Sequence, residues 1–241
     1  MNSPSSNGWS PGRRSKTLIG TCTMISICIL AAAARWPGFE LNLARIAIDG
    51  GRDFEHLELA RNVARLAPFA VLVLTCAGLV MSMKSRRLRT AETGARAFIL
   101  LTTFALGPGL LVNGFLKSHS HRPRPIQTME VSGVGQDFRP FYAFDGGCVR
   151  NCSFSSGEAA AAFWTVTPAL LAPPGLQFPA VAAAMIFGSA TGALRMLAGA
   201  HFVSDIAFSA LAMIVLAYVM IRFVLRLSAS DSTAAGQRQS D

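Results

Sequence analysis

Apolar residues fall into six runs along the chain, near 17–34, 67–83, 97–116, 155–172, 177–197 and 205–225, separated by polar and charged segments. About 20 apolar residues in helical form cross the hydrocarbon core of a bilayer. The pattern therefore predicts an all-α, polytopic membrane bundle of about six transmembrane helices. The fourth run is the weakest, because it is short, carries Pro168 and ends at the turn Pro173-Pro174-Gly175. The first run has a competing reading as a signal peptide, since Arg13, Arg14 and Lys16 precede it and small residues Ala31 to Ala34 end it. Its apolar stretch is longer than such a segment uses, which favours an uncleaved helix. Leu59, Val63 and Leu66 recur at helical spacing. They predict an interfacial helix within 35–66, with His56 solvated and no chemistry assigned. The tails, 1–12 and 228–241, are polar and rich in small residues and are expected to be disordered. That leaves 13–227 as one membrane domain.

Composition agrees with this reading. The chain is 51% hydrophobic and 15% charged, with a mean hydropathy of +0.41, whereas soluble domains run near 25% charged. The formal net charge is +9. The basic residues sit between apolar runs and form no continuous stripe, so nucleic acid is not the expected partner and anionic lipid head groups are. Part of the excess also orients the helices. Arg13, Arg14 and Lys16, then Lys84, Arg86, Arg87, Arg89 and Arg96, then Arg222 and Arg226, share one side if there are six spans. That side is expected to be the cytoplasm, with both termini in it. Arg45, Arg52, Arg61 and Arg65 on the opposite side are offset by Asp49, Asp53, Glu55 and Glu58; the arginines of the second outer loop are not. Of five cysteines, Cys22, Cys28 and Cys76 lie in apolar runs. Cys148 and Cys152 share a polar loop and could form a local disulfide in an oxidising compartment. No His or Cys pair has zinc-site spacing nearby, and neither metal nor cofactor is expected.

Three segments concentrate the remaining unusual residues: Lys117 to Pro125, Cys152 to Glu158, and Arg195 to Asp205. Each falls at a helix end, and the expected topology brings all three to the outer side. Lys117, Arg124 and Arg195 offer fixed positive charge, and the guanidinium fork matches phosphate. Ser156 and Gly157 stand at a predicted helix start, where free N–H groups favour an anion. His201 and Asp205 are four residues apart and would share a helix face. A carboxylate so placed can fix the imidazole tautomer.

These segments resemble the three motifs of the type 2 phosphatidic acid phosphatase superfamily, which also includes vanadium haloperoxidases. Its K-x6-R-P motif is matched by Lys117, Arg124 and Pro125, its P-S-G-H by Ser156 and Gly157, and its S-R-x5-H-x3-D by Arg195, His201 and Asp205. The resemblance implies that His201 is a nucleophile forming a phosphohistidine, that Asp205 orients it, and that Lys117, Arg124, Ser156, Gly157 and Arg195 hold the phosphoryl oxygens. It departs at Ser155, at Leu194 and, most seriously, at Glu158, which replaces the histidine that protonates the leaving group. Glu158 has two readings: the acid of a capping box begun by Ser155, or the general acid itself. His119 and His121 read as exposed loop residues, with the missing acid or a head-group contact as the alternative. The stretch from Gly147 to Glu158 also resembles a bacterial subgroup that includes lipid A phosphatases. This implies a phosphatase acting on lipid A or another membrane lipid at the periplasmic face of the inner membrane. Undecaprenyl diphosphate, phosphatidylglycerophosphate and phosphatidic acid are the other substrates weighed. Phosphotransfer and an inactive lipid-binding protein are the other activities. A haloperoxidase would share the pocket but is soluble. Oligomeric state is not legible.

Overall fold

The computed structural model describes residues 11–51, 55–84 and 91–237, except the side chains at 55–57, 79, 82–84, 91–92 and 227–237. Helices α1 (Arg13–Arg35), α2 (Pro37–Gly50) and α3 (Glu55–Lys84) come first. Helix α4 (Ala91–Phe104) runs on as a π-helix over Ala105–Leu116 and closes with the turn Lys117–His119. A long loop leads to α5 (Gly157–Trp164) and α6 (Val166–Leu170), followed by α7 (Pro174–Leu197) and α8 (Val203–Gln237). Among the described residues there is no strand, and one isolated bridge joins Thr128 and Gln136.

Five helical stretches are long and apolar enough to cross a membrane: Arg13–Arg35, Glu58–Gly78, Thr93–His119, Pro174–Leu197 and Val203–Arg226. The expected fourth span, 155–172, is not among them. It is two short helices of 8 and 5 residues. Pro168 has no N–H for the Trp164 carbonyl, which costs the helix a bond near its break at Thr165. The segment is apolar because protein, not lipid, surrounds it. Ala159, Ala160, Ala162, Phe163 and Trp164 are all buried. Small side chains let neighbouring helices approach closely, which is how membrane helices pack when burial from water offers no drive. Trp164 seals the contact, donating from Nε1 to Thr103 Oγ1 at 3.0 Å and meeting Phe104 edge-on at 4.9 Å.

Two further expectations change. The stripe of Leu59, Val63 and Leu66 is exposed as predicted, but it belongs to the first turns of α3 and not to a separate interfacial helix. Helix α8 continues to Gln237, past the expected boundary at 227. The His56 and Lys84 side chains and residues 86, 87 and 89 lie outside the described residues. In the π-helix, Asn113 Nδ2 donates to the Pro108 carbonyl at 2.7 Å. Wide turns of this kind are frequent at functional sites, and this one delivers Lys117.

Candidate active site

Local hydrogen bonds stitch the three segments to one end of the bundle. Ile126 N–H donates to the Gly199 carbonyl at 3.1 Å, and Ser153 N–H donates to the Arg122 carbonyl at 2.8 Å. Ser209 Oγ, on α8, donates to the Ser156 carbonyl at 3.1 Å. Gly199 turns the chain from α7 into α8 with φ +60°, and a Cβ there would overlap Ile126. The charges acting on Lys117 include Arg124, Arg195, Glu158 and Asp205. Arg195 and Lys117 also act on His201, and Ser156, followed by Gly157, is tied to α8, so the residues proposed from sequence gather at one end of the bundle.

The imidazole of His201 is buried just before the first turn of α8, not on a helical face with Asp205. Its Nδ1 lies 2.7 Å from the Ser153 carbonyl and 3.4 Å from Asp205 Oδ2. The closer partner is thus a backbone oxygen, which can only accept. It fixes the proton on Nδ1 and leaves Nε2 with a lone pair. Burial lowers the His201 pKa below its ordinary value; the Asp205 hydrogen bond and charge oppose this, while Arg195 and Lys117 reinforce it. The net direction favours the uncharged ring.

Asp205 does more than face the histidine. Its Oδ2 accepts from Ser153 Oγ at 2.6 Å and from Phe202 N–H at 2.9 Å, closing the α8 N-terminus as a capping-box acid does. Its Oδ1 accepts from Arg122 Nη1 at 2.6 Å. Arg122 is wholly buried and also donates to Glu40 Oε2, Ser204 Oγ and the Arg139 carbonyl, each at 2.8 Å. Its guanidinium lies 4.3 Å from the Phe202 ring centroid. Glu40, from α2, is equally buried and accepts from the Ser204 hydroxyl and N–H. Burial raises the Glu40 pKa, against the Arg122 charge and the Ser204 bonds. Sequence reasoning assigned no role to Arg122, Glu40 or Ser153. A signal existed: Arg122-Pro123 doubles Arg124-Pro125, and Glu40 is a lone carboxylate in an otherwise apolar stretch.

On the open side, Asn151 organises the cations. Its side-chain oxygen accepts from Lys117 Nζ at 3.2 Å, and its carbonyl accepts from Arg124 Nη2 at 3.1 Å. Asn151 has φ 54°, a conformation asparagine tolerates. Ser156 is the N-cap of α5, its Oγ accepting from Ala159 N–H at 3.3 Å. A Cβ on Gly157 would lie 2.5 Å from Asn113 Oδ1, so any larger residue there would have to displace the Asn113 side chain. Glu158 is not the capping-box acid: the cap begins at Ser156, not Ser155, and its carboxylate stands 3.7 Å from Arg61 Nη2 and 3.6 Å from Arg195 Nε. Arg61 thus belongs to the site, although the outer loop that carries it was expected to hold no chemistry.

His119 and His121 turn to backbone carbonyls, of Phe115 at 2.8 Å and Cys148 at 2.9 Å. Cys148 and Cys152 are disulfide-bonded, closing the loop beside Asn151. Among the described residues, no group of three or more His, Cys, Asp or Glu side chains is placed to hold a metal ion.

Residues 96–229, more than half the chain and all three segments, match the model of the PAP2 superfamily. The chain belongs to the PAP2 superfamily. It is similar to the lipid A 4′-phosphatase of Rhizobium leguminosarum, 36% identical over 156 residues that cover 64% of this chain and 66% of that protein. It is 30% identical to the lipid A 4′-phosphatase of Rhizobium etli over 215 residues, 80% of this chain and 83% of that protein. With the lipid A 4′-phosphatase of Francisella tularensis subsp. novicida it shares 33% identity over 130 residues, 54% and 58% of the two chains. No solved structure matches it. Within this PAP2 member, two of the three departures from the motifs bring no charge to the site. Ser155 is buried beside the α5 cap, and Leu194 precedes Arg195 in the last turns of α7. Glu158 alone faces the cationic cluster.

Proposed function

We propose that the chain is a lipid phosphatase that removes the 4′-phosphate of lipid A through a phosphohistidine. The observation that carries this reading is the convergence of Lys117, Arg124 and Arg195 on a buried neutral His201 backed by Asp205. The relatives' names supply the substrate. His201 Nε2 attacks phosphorus while the bond to the sugar oxygen breaks, and that oxygen takes a proton from Glu158. The phosphorylated ring is cationic, and Asp205 stabilises it. Water then attacks phosphorus, gives its proton to the Glu158 carboxylate, and inorganic phosphate leaves with His201 neutral again. Lys117, Arg124, Arg195 and the α5 N-terminus take up the charge on the phosphoryl oxygens. Once Glu158 has given up its proton, the flanking Arg61 and Arg195 offset the carboxylate charge beside the phosphoryl group.

Purified protein in detergent is expected to release phosphate from bisphosphorylated lipid A. Vanadate is expected to block release, and phosphatidic acid, phosphatidylglycerophosphate and undecaprenyl diphosphate are expected to be poorer substrates. Absence of release from every lipid in this panel defeats the proposal. In the same assay, Glu158→Gln is expected to lower kcat about 10²–10⁴-fold, the usual range for general acid catalysis. The helix should survive, because Ser156 caps it. Wild-type kcat in Glu158→Gln removes the acid role.

The site is assigned to the periplasmic face. A disulfide lies at its rim, and Arg13, Arg14, Lys16 and Arg222 gather at the opposite end of the bundle. Reduction of the Cys148–Cys152 bond in whole cells by an impermeant reductant, after outer-membrane permeabilisation, checks this. Protection until the inner membrane is opened reverses the orientation.

A further inference from the structure

The first turns of α1 lie against the last membrane turns of α8. Between Val203, beside the site, and Arg222, α8 rises about 29 Å at 1.5 Å per residue. That is close to the ~30 Å of a hydrocarbon core, so Arg222 stands at the other edge of the bilayer. A cavity of about 400 Å³ opens there between α1 and α8. Lys16, Arg222 and Tyr218 supply its polar groups, and Ile19 and Ile214 line it further in. Arg13 and Arg14 border a second, open hollow on the other flank of α1. The wall is built into the fold: Gln177 accepts from Gly12 N–H at 2.8 Å and donates to the Leu170 carbonyl at 2.9 Å, tying the start of α1 to the turn between α6 and α7.

Cations at the bilayer edge above an apolar recess match one chemistry, an anionic head group with hydrocarbon attached. We propose that this cavity holds an anionic glycerophospholipid of the surrounding bilayer. Its phosphate sits on Lys16 and Arg222, its ester region meets the Tyr218 hydroxyl, and the start of one acyl chain lies along Ile19 and Ile214. The cavity is of ligand size, within the roughly 300–1,000 Å³ typical of such sites, but too small for both chains, so the second chain stays in the bilayer. The site is a full membrane thickness from His201 and independent of the reaction there.

Native mass spectrometry of the full chain in dodecyl maltoside, with phosphatidylglycerol or phosphatidylcholine added, tests this. Wild type is expected to retain one phosphatidylglycerol about tenfold more than phosphatidylcholine, and Lys16→Gln/Arg222→Gln to lose that preference. Gly20→Leu keeps both charges but fills the recess, since a Cβ at Gly20 meets open space and Gly20 lines the cavity. It is expected to release phosphatidylglycerol as well. Equal retention of both lipids by wild type overturns the site. Wild-type retention of phosphatidylglycerol by Gly20→Leu also overturns it, because diffuse attraction to the basic end would then suffice.

Discussion

Replacing His201 with alanine is expected to abolish phosphate release, by at least about 10⁴-fold in kcat, the scale on which loss of a covalent nucleophile acts. The fold should survive, because the ring makes one close hydrogen bond, to the Ser153 carbonyl, and the segment itself is anchored by the Phe202 N–H to Asp205 bond. The pH profile makes the test sharper. Only the neutral ring attacks phosphorus, and burial sets its pKa below the ordinary histidine value. Activity is therefore present above that depressed pKa and lost as pH falls through it. The acid limb of kcat/KM should lie below about pH 6.5, the unperturbed histidine value. Asp205 works against burial, since its hydrogen bond and charge both raise the His201 pKa. Asp205→Asn should thus move the acid limb to still lower pH while reducing kcat. An acid limb at or above the ordinary histidine value, or one unmoved by Asp205→Asn, contradicts the assignment.

How much of this was legible in the sequence follows from the range over which each feature acts. The motif residues were readable because their spacing is local and each stands at the end of an apolar run. The end-to-end alternation of runs was enough to bring Lys117, Arg124, Ser156, Gly157, Arg195 and His201 to one side. The fourth run crosses the bundle as two short buried helices and not as one lipid-facing span, because an alanine-rich stretch has the same hydropathy whether lipid or protein surrounds it. Only its length, Pro168 and the following Pro-Pro-Gly hinted that 155–172 is a broken inner helix. The pairing of Asp205 with Arg122, 83 positions apart, and of Arg122 with Glu40, 82 apart, leaves no periodicity to read. The same holds for Arg61 reaching Glu158. Such contacts are set by how α2 and α3 pack, and helical spacing says nothing about that. The i, i+4 spacing of His201 and Asp205 was read correctly as proximity and incorrectly as a shared helical face, because the helix begins between them.

The second large effect belongs to Arg122, which sequence alone did not single out. Arg122→Met removes the only cation hydrogen-bonded to two buried carboxylates, Asp205 and Glu40, among the described residues. Breaking such a pair costs about 3–5 kcal/mol, because the partner charges stay buried and uncompensated. The variant is expected to lose activity and to unfold at markedly lower temperature in detergent. Loss of activity alone would fit a merely damaged fold, so the second site is chosen to separate the roles. Glu40→Gln removes one of the stranded carboxylates. Arg122→Met/Glu40→Gln is therefore expected to regain about 1–3 kcal/mol relative to Arg122→Met, the coupling typical of residues in one buried network. It should not regain activity, because Asp205 keeps its charge and loses the guanidinium that fixes its Oδ1. Arg122→Lys supplies the complementary case. The charge remains, but a single ammonium cannot reproduce a fork that reaches Glu40, Ser204, Asp205 and the Arg139 carbonyl at once. That variant should fold and bind lipid with little change in KM, while kcat falls about 10–100-fold as Asp205 loosens behind His201, by analogy with supporting residues of metal ligands. Additive stability effects in the double variant would show that Arg122 and Glu40 do not share a network. Wild-type kcat in Arg122→Lys would show that Asp205 needs no bracing to hold His201.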